Sequence, residues 1–300
     1  KENIDMKNSI QVSTGEKIAK VIIYFLLIVI MFICAYPVWY VAVASFSDSN
    51  DLMRHSGILL WPKTFTLAAY EKVVSNPMIG KGYLNTLFIL IIGVTLNIIM
   101  TSIGAYFLSR KRVLFQKPIT VLIIFTMFFS GGMIPFYLNL KSLHLTGTLW
   151  GLIFPFMINT YNLVIMRTSF ASIPESLFEA AHIDGASHTH CLFNIVLPLS
   201  KAIIAVMILY YGVGIWNSWF WASAILRERN MYPLQVILRE ILLSNDVSSM
   251  TEGTAVEDME SVAMSIRYAT IMVATIPILC VYPFLQKYFT KGTLVGAVKE

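Results

Sequence analysis

The sequence predicts an all-α, polytopic membrane protein with six transmembrane helices. Three observations predict it. Hydrophobic residues make up 57% of the 300-residue chain and charged residues only 13%, the mean hydropathy is +0.70, and the apolar residues gather into six long runs free of Asp, Glu, Lys and Arg. A single soluble core cannot hide that much apolar surface, so part of the solvent is lipid and a globular enzyme is excluded. The net charge of +5 would suggest nucleic acid in a soluble protein. In a membrane chain it serves orientation, and no nucleic-acid partner is expected.

A helix rises about 1.5 Å per residue, so crossing about 30 Å of hydrocarbon takes about 20 residues. The runs Val21–Phe46, Leu84–Leu108, Pro118–Leu140, Thr148–Met166, Ala202–Leu226 and Tyr268–Gln286 qualify. They divide the chain into an N-terminal segment (1–20), a first transmembrane helix (21–46), a loop (47–83), a core of five further transmembrane helices (84–286) and a tail (287–300). The first run resembles a secretion signal, with a basic start and the triplet Ala42, Val43, Ala44, but its 26 residues exceed the roughly 7–15 of a signal core. It is read as a retained helix. Ser130, Gly131 and Gly132 are expected to loosen the third.

Lys and Arg number thirteen in 1–20, 109–117, 167–201 and after Gln286, against nine in the alternate loops. The excess places both termini in the cytoplasm and the loop 47–83 outside, in the plasma membrane of a bacterium. The cluster Arg110, Lys111, Arg112 with Lys117 is the strongest orienting element.

None of the six apolar cores holds Asp, Glu, Lys, Arg or His. Ion-coupled carriers usually place one at mid-membrane, so a stand-alone secondary carrier or channel is the alternative reading and the less favoured one. A phosphate-binding loop of the Gly-rich type ending in Lys and Ser or Thr is missing too. The chain itself is expected to be no enzyme and to carry no cofactor. What the cores do hold is uncharged: Asn159, Tyr161, Asn162, Tyr210, Tyr211, Trp216, Asn217 and Trp219. Amides and aromatic faces suit a sugar pathway. They equally suit helix–helix adhesion and interfacial anchoring.

Between the fourth and fifth runs the chain reads SIPESLFEAAHIDGASHTHCLFNIVLPLS from Ser172 to Ser200. Ser172 with Glu175 makes a capping box, and Pro174 sits in the first turn, where its missing N–H costs nothing. A short amphipathic helix over about 173–186 is predicted, with Ile173, Leu177, Ala180, Ala181 and Asp184 near one face and Phe178 beside it. Gly185 is placed to end it in a left-handed conformation, and Ala180, Ala181 and Ala186 keep the surface slim.

This stretch resembles the loop shared by permease subunits of binding-protein-dependent ABC importers, with E-A-A, three residues to Gly, then nine to I-x-L-P. Glu179, Ala180, Ala181, Gly185, Ile195, Leu197 and Pro198 fit each position, and Asp184, Gly185 and Ala186 supply the extended D-G-A form. The resemblance covers roughly Tyr83 to Gln286. It implies a type I ABC importer permease fold in which the loop forms a coupling helix on an ATPase subunit. It also implies a second homologous permease, two ATPase copies holding ATP and Mg, and an extracytoplasmic solute-binding protein. The ending KGTLVGAVKE from Lys291 resembles the tail of sugar permeases, and the overall look is nearest to permeases for complex oligosaccharides such as alginate or rhamnogalacturonan fragments.

Two neighbouring features read more plainly. His182, His188, His190 and Cys191 match no closed zinc set, so no metal is expected, and Cys34, Cys191 and Cys280 are packing residues. In the outer loop, apolar residues at 234, 237, 238, 241 and 242 predict an amphipathic helix lying at the outer surface. An acidic stretch with Asp246, Glu252, Glu257, Asp258 and Glu260 follows it. This loop is either a docking surface for the binding protein or a solvated connection.

Overall fold

The computed structural model of the chain describes residues 14–110, 113–243 and 256–297. Lys111 and Arg112 of the basic cluster, Asp246 and Glu252 of the acidic stretch, and the two ends of the chain lie outside the described residues. Among the described residues the fold is helical, with a single isolated bridge between Ser47 and Phe65 in place of any sheet.

Helices run in the order α1 (Thr14–Ser45), α2 (Ser49–Arg54), α3 (Ala68–Ser75), α4 (Pro77–Ser109), α5 (Gln116–Phe125) and α6 (Met133–Ser142). Two 3₁₀ turns, Leu149–Leu152 and Phe154–Phe156, lead to α7 (Thr160–Ala171) and α8 (Glu175–Ile183). Then come α9 (His188–His190), a π-helical stretch (Cys191–Val196) and α10 (Leu197–Leu199). After these follow α11 (Lys201–Trp216), α12 (Phe220–Ile225), α13 (Leu234–Leu243) and α14 (Val256–Ala297).

Three of the six predicted spans are continuous: the apolar stretches Gly15–Ser45, Pro77–Ser109 and Val262–Val281 are each long enough to cross a bilayer. The other three are interrupted. The third is split into α5 and α6 around Ser130–Gly132, where Gly132 takes a φ of 86°. The fourth bends by 45° between the 3₁₀ turns and α7, and the fifth ends at Trp216 before the short α12. Pro155 and the Asn159 cap mark the bend in the fourth, Asn159 accepting the Asn162 N–H at 3.1 Å.

Packing follows membrane logic, with the small and polar residues inward. On α4 the buried positions include Gly82, Thr86, Ile89, Gly93, Asn97, Thr101, Ala105 and Ser109, nearly all four apart. Large residues of the same helix, such as Leu84, Phe88, Ile91 and Ile103, face outward. In lipid nothing drives those outer side chains into a core, so close backbone approach and polar contacts decide the inner face. α4 packs most extensively on α7, and also meets α11 and α13. α1 is exposed along its apolar length and joins the rest at its C-terminal end, where Val43, Ala44 and Leu52 cluster with Tyr40 and Tyr268.

α13 has the amphipathic character expected and turns its apolar face to protein: Leu234, Val236, Ile237, Leu238 and Ile241 are buried against α4 and α14. A Cβ on Gly82 would stand 2.6 Å from Ile237 Cδ1 and 3.1 Å from Leu234 Cα, so only glycine permits this approach. Thr86 Oγ1 accepts the Leu234 N–H at 2.9 Å and satisfies a first-turn donor.

Candidate functional site

Two regions collect the residues singled out in the sequence. The first is a half-open cavity between α4, α7 and α11, about 280 Å³ in volume and lined by Thr86, Asn97, Asn159, Asn162, Tyr210, Tyr211, Ser218 and Trp221, with Pro155 and Phe156. None of its lining side chains is charged. A more open recess, which shares Asn159, Asn162 and Tyr210, adds Tyr161, Leu209 and Val213.

Tyr211 holds this region together. Its hydroxyl shares a hydrogen bond with Thr101 Oγ1 at 2.7 Å and accepts the Asn159 N–H at 3.1 Å, tying α4, the start of α7 and α11 to one oxygen. Five of the eight predicted pathway residues therefore meet: Asn159, Tyr161, Asn162, Tyr210 and Tyr211. The other three are elsewhere. Trp216 is buried in the cluster around Ile237 and Ile266. Asn217 closes α11, its N–H bonded to Val213 O at 3.1 Å. Trp219 lies under Arg239, whose guanidinium carbon is 3.8 Å from the ring centroid.

Thr86, Asn97 and Trp221 escaped the sequence reading. Asn97 was the findable one, since an amide amid the apolar run of α4 faces protein by default.

The second region is α8 and its surroundings. The predicted capping box does not form: Ser172 is helical at φ −80°, its hydroxyl turns back to Ser169 O at 2.7 Å, and the N-cap position falls to Pro174. The C-terminus is well defined. Gly185 has a φ of 79°, its N–H bonds His182 O at 3.1 Å, and the Ala186 N–H bonds Ala181 O at 2.8 Å. These paired bonds make a Schellman motif and stop the helix within one residue.

α8 turns Phe178 inward, only 2% exposed, with Ala181 beside it. Leu177, Glu179, Ala180, Ile183, Asp184 and Gly185 face outward, and Ile183 is 86% exposed. Ala186, Ile195 and Leu197 are half-buried against the cluster that includes Cys191, Leu192 and Val196, and Pro198 is exposed. The π-helical stretch just before Pro198 and the 86° bend at Ser200 carry the chain from this layer into α11. Tyr106 meets His188 Nδ1 at 3.3 Å, and His182 and His188 rings stand 5.1 Å apart. No group of three or more His, Cys, Asp or Glu able to hold a metal occurs among the described residues.

One basic residue in this layer is not a solvated charge. Arg110, the C-cap of α4, lies over the Phe178 ring at 3.7 Å and is 8% exposed. Burial lowers its pKa from the usual guanidinium value, and Glu175 opposes that shift.

Comparison with known proteins agrees with this geometry. The family model described as "Binding-protein-dependent transport system inner membrane component" matches residues 113–295. The polygalacturonan/rhamnogalacturonan transport system permease protein YtcP of Bacillus subtilis (strain 168) is 41% identical over 93% of this chain and 97% of its own. Protein LplC of the same organism is 41% identical over 88% of both chains. A solved chain from a bacterial ABC transporter involved in the import of the acidic polysaccharide alginate superposes with a TM-score of 0.84, at 31% identity, over 92% of this chain and 98% of that one. The interrupted helices, the Gly185-terminated α8 and these matches together make the chain a member of the family of inner membrane components of binding-protein-dependent transport systems.

Proposed function

We propose that this chain is the permease subunit that forms half of the translocation pathway of an ATP-driven carbohydrate importer, most suited to oligosaccharides. The observation that carries the reading is the cavity between α4, α7 and α11, lined by amides, hydroxyls and aromatic rings without a charge. Such a lining hydrogen-bonds hydroxyls in any direction and packs on the C–H face of a pyranose, while leaving no fixed charge to trap a solute midway. The names of the relatives, which span pectin-type, arabinose- and galactose-containing oligosaccharides, support the same class.

The other assignments follow from this reading. α8 and the residues Glu179, Ala180, Ala181, Asp184, Gly185, Ala186, Ile195, Leu197 and Pro198 form the contact with an ATPase subunit, which binds ATP and Mg. Two such subunits, a second homologous permease and an extracytoplasmic solute-binding protein complete the machine. Both termini face the cytoplasm in this reading, which the excess of Lys and Arg at 1–20, 109–117, 167–201 and after Gln286 supports.

The test is uptake by the purified complex in proteoliposomes, with binding protein and a panel of oligogalacturonides, alginate oligosaccharides, neutral oligosaccharides, amino acids and metal chelates. Uptake of one saccharide class, reduced in Asn162→Leu, is expected. Uptake of an amino acid or chelate and of no saccharide overturns the substrate class.

A further inference from the structure

Arg110 belongs by sequence to the basic run that orients the chain. In the fold it does something else. Its guanidinium is inserted where the ends of α4 and α7 meet α8. Nη2 donates to Phe170 O at 3.0 Å, at the end of α7, and Nε donates to Ser109 Oγ at 3.1 Å, at the end of α4. Its carbon lies 3.7 Å from the centroid of the Phe178 ring, on α8. Nη1 stands 3.7 Å from Glu175 Oε2, in the first turn of α8, an ion pair rather than a hydrogen bond. Phe170 and Phe178 are themselves buried, at 0% and 2% exposure.

We infer that Arg110 is the positioning residue that fastens α8 to the core helices, so that a displacement of α8 is delivered to α4 and, along it, to the cavity at Asn97 and Thr86. The inference rests on the proposal that α8 touches the ATPase. The physical need is plain. α8 is nine residues long and most of its surface faces outward, with Phe178 its one buried residue and Ala181 packed beside it, so apolar packing alone holds it weakly against a lateral push. A planar cation that stacks on Phe178 while its edge bonds two other helix ends resists shear in every direction. Lysine keeps the charge but has neither the plane nor the fork. The orienting charge and the clamp are thus one residue, and only the second role distinguishes Arg from Lys.

The experiment uses the full complex in nanodiscs for hydrolysis and in proteoliposomes for uptake, comparing wild type, Arg110→Lys, Phe178→Leu and the double variant. The readout is substrate taken up per ATP hydrolysed, alongside the amount of ATPase subunit retained. Arg110→Lys is expected to keep ATPase attached and hydrolysing while uptake per ATP falls about tenfold, within the range a desolvated cation–π contact with its hydrogen bonds allows. Phe178→Leu should fall less, about threefold, and the double variant should be no worse than Arg110→Lys. Equal loss of complex, hydrolysis and uptake, with an unchanged ratio, marks a merely structural residue and overturns the inference. If Arg110→Lys does not assemble, Phe178→Leu decides alone, an unchanged ratio again overturning it. Failure of the underlying proposal shows separately: a cysteine at Ala180 that does not cross-link to the ATPase subunit removes α8 from the interface and sinks both.

Discussion

Replacement of Gly185 offers a direct measure of how much depends on the end of α8. A Cβ at Gly185 would meet nothing within 4 Å, so no neighbour in this chain resists a larger side chain. The cost lies in the backbone, held at a φ of 79°. A non-glycine residue pays about 1–2 kcal/mol for the left-handed region, and a β-branched one stands at the upper end. If the chain escapes that strain by changing φ, the two bonds from Gly185 and Ala186 to His182 and Ala181 are lost. Those are worth about 0.5–1.5 kcal/mol each. Either route costs about 1–3 kcal/mol locally, enough to destabilise the last turn.

A graded series isolates this cause. Gly185→Asn, which tolerates the left-handed region, is expected to stay near wild type, Gly185→Ala to be intermediate, and Gly185→Val to lose uptake. All three should reach the membrane at normal abundance, because the apolar spans are untouched. The assay is ATP hydrolysis stimulated by loaded binding protein, measured beside uptake in proteoliposomes. An order that follows side-chain volume rather than left-handed tolerance, or a Gly185→Val complex that transports like wild type, refutes the reasoning.

Other perturbations test other joints of the fold. Gly82→Val drives a branched side chain into Ile237 and the α13 backbone and is expected to destabilise by about 1–3 kcal/mol, read as a lower melting temperature in detergent; Ile237→Ala should restore part of it, because the nearest atom is Ile237 Cδ1. Tyr211→Phe removes the oxygen shared by Thr101 and Asn159 at little change of shape, and should lower thermal stability by about 1–3 kcal/mol. Glu179→Ala is expected to weaken ATPase retention mildly without altering uptake per ATP, since it changes the exposed face of α8 and leaves its backbone intact. For orientation, a cysteine at Lys117 should be shielded from an impermeant thiol reagent added outside, and one at Lys63 should react, in a background with Cys34 and Cys280 replaced by Ala; the reverse pattern inverts the topology.

What the sequence could show was set by what each signal measures. Hydropathy averages over a window, so it found the six apolar runs alike, and it was Ser130, Gly131 and Gly132 that marked the third as the run that divides into α5 and α6, while α4 stays unbroken over 33 residues. Irregular backbone within an apolar run is tolerated where protein or a cavity covers it. Covering is a tertiary fact. The same limit explains α13: a helical period reveals an apolar face but not whether lipid or protein meets it. Ser172 and Glu175 had the spacing of a capping box, yet Pro174 fixed the chain outside the helix and left Ser172 bonded backward. Gly185 was legible because a left-handed residue is chosen locally, by a side chain that is absent.

The deepest gap concerns α4, and it bears on how the proposed machine would work. Its buried positions step by about four residues from Gly82, which admits α13, through Thr86 and Asn97, which line the cavity, to Ser109, which bonds Arg110. At about 1.5 Å per residue that line spans roughly 40 Å, and the helix that carries it has no proline beyond Pro77 in its first turn. The helices around it are short or bent: α7 follows a 45° bend, α11 follows one of 86°, and α5 ends after ten residues. A force applied at α8 can therefore reach the cavity along the unbroken α4, and along α7, which runs from Ala171 beside α8 to Asn162 at the cavity before its 45° bend. Charge counting treated Arg110 as a marker of sidedness, and Gly82 fell in the loop 47–83, outside the apolar runs. In the fold they are the two ends of the same rod, one bonded to the end of α7 and stacked on Phe178 of α8, the other seating α13.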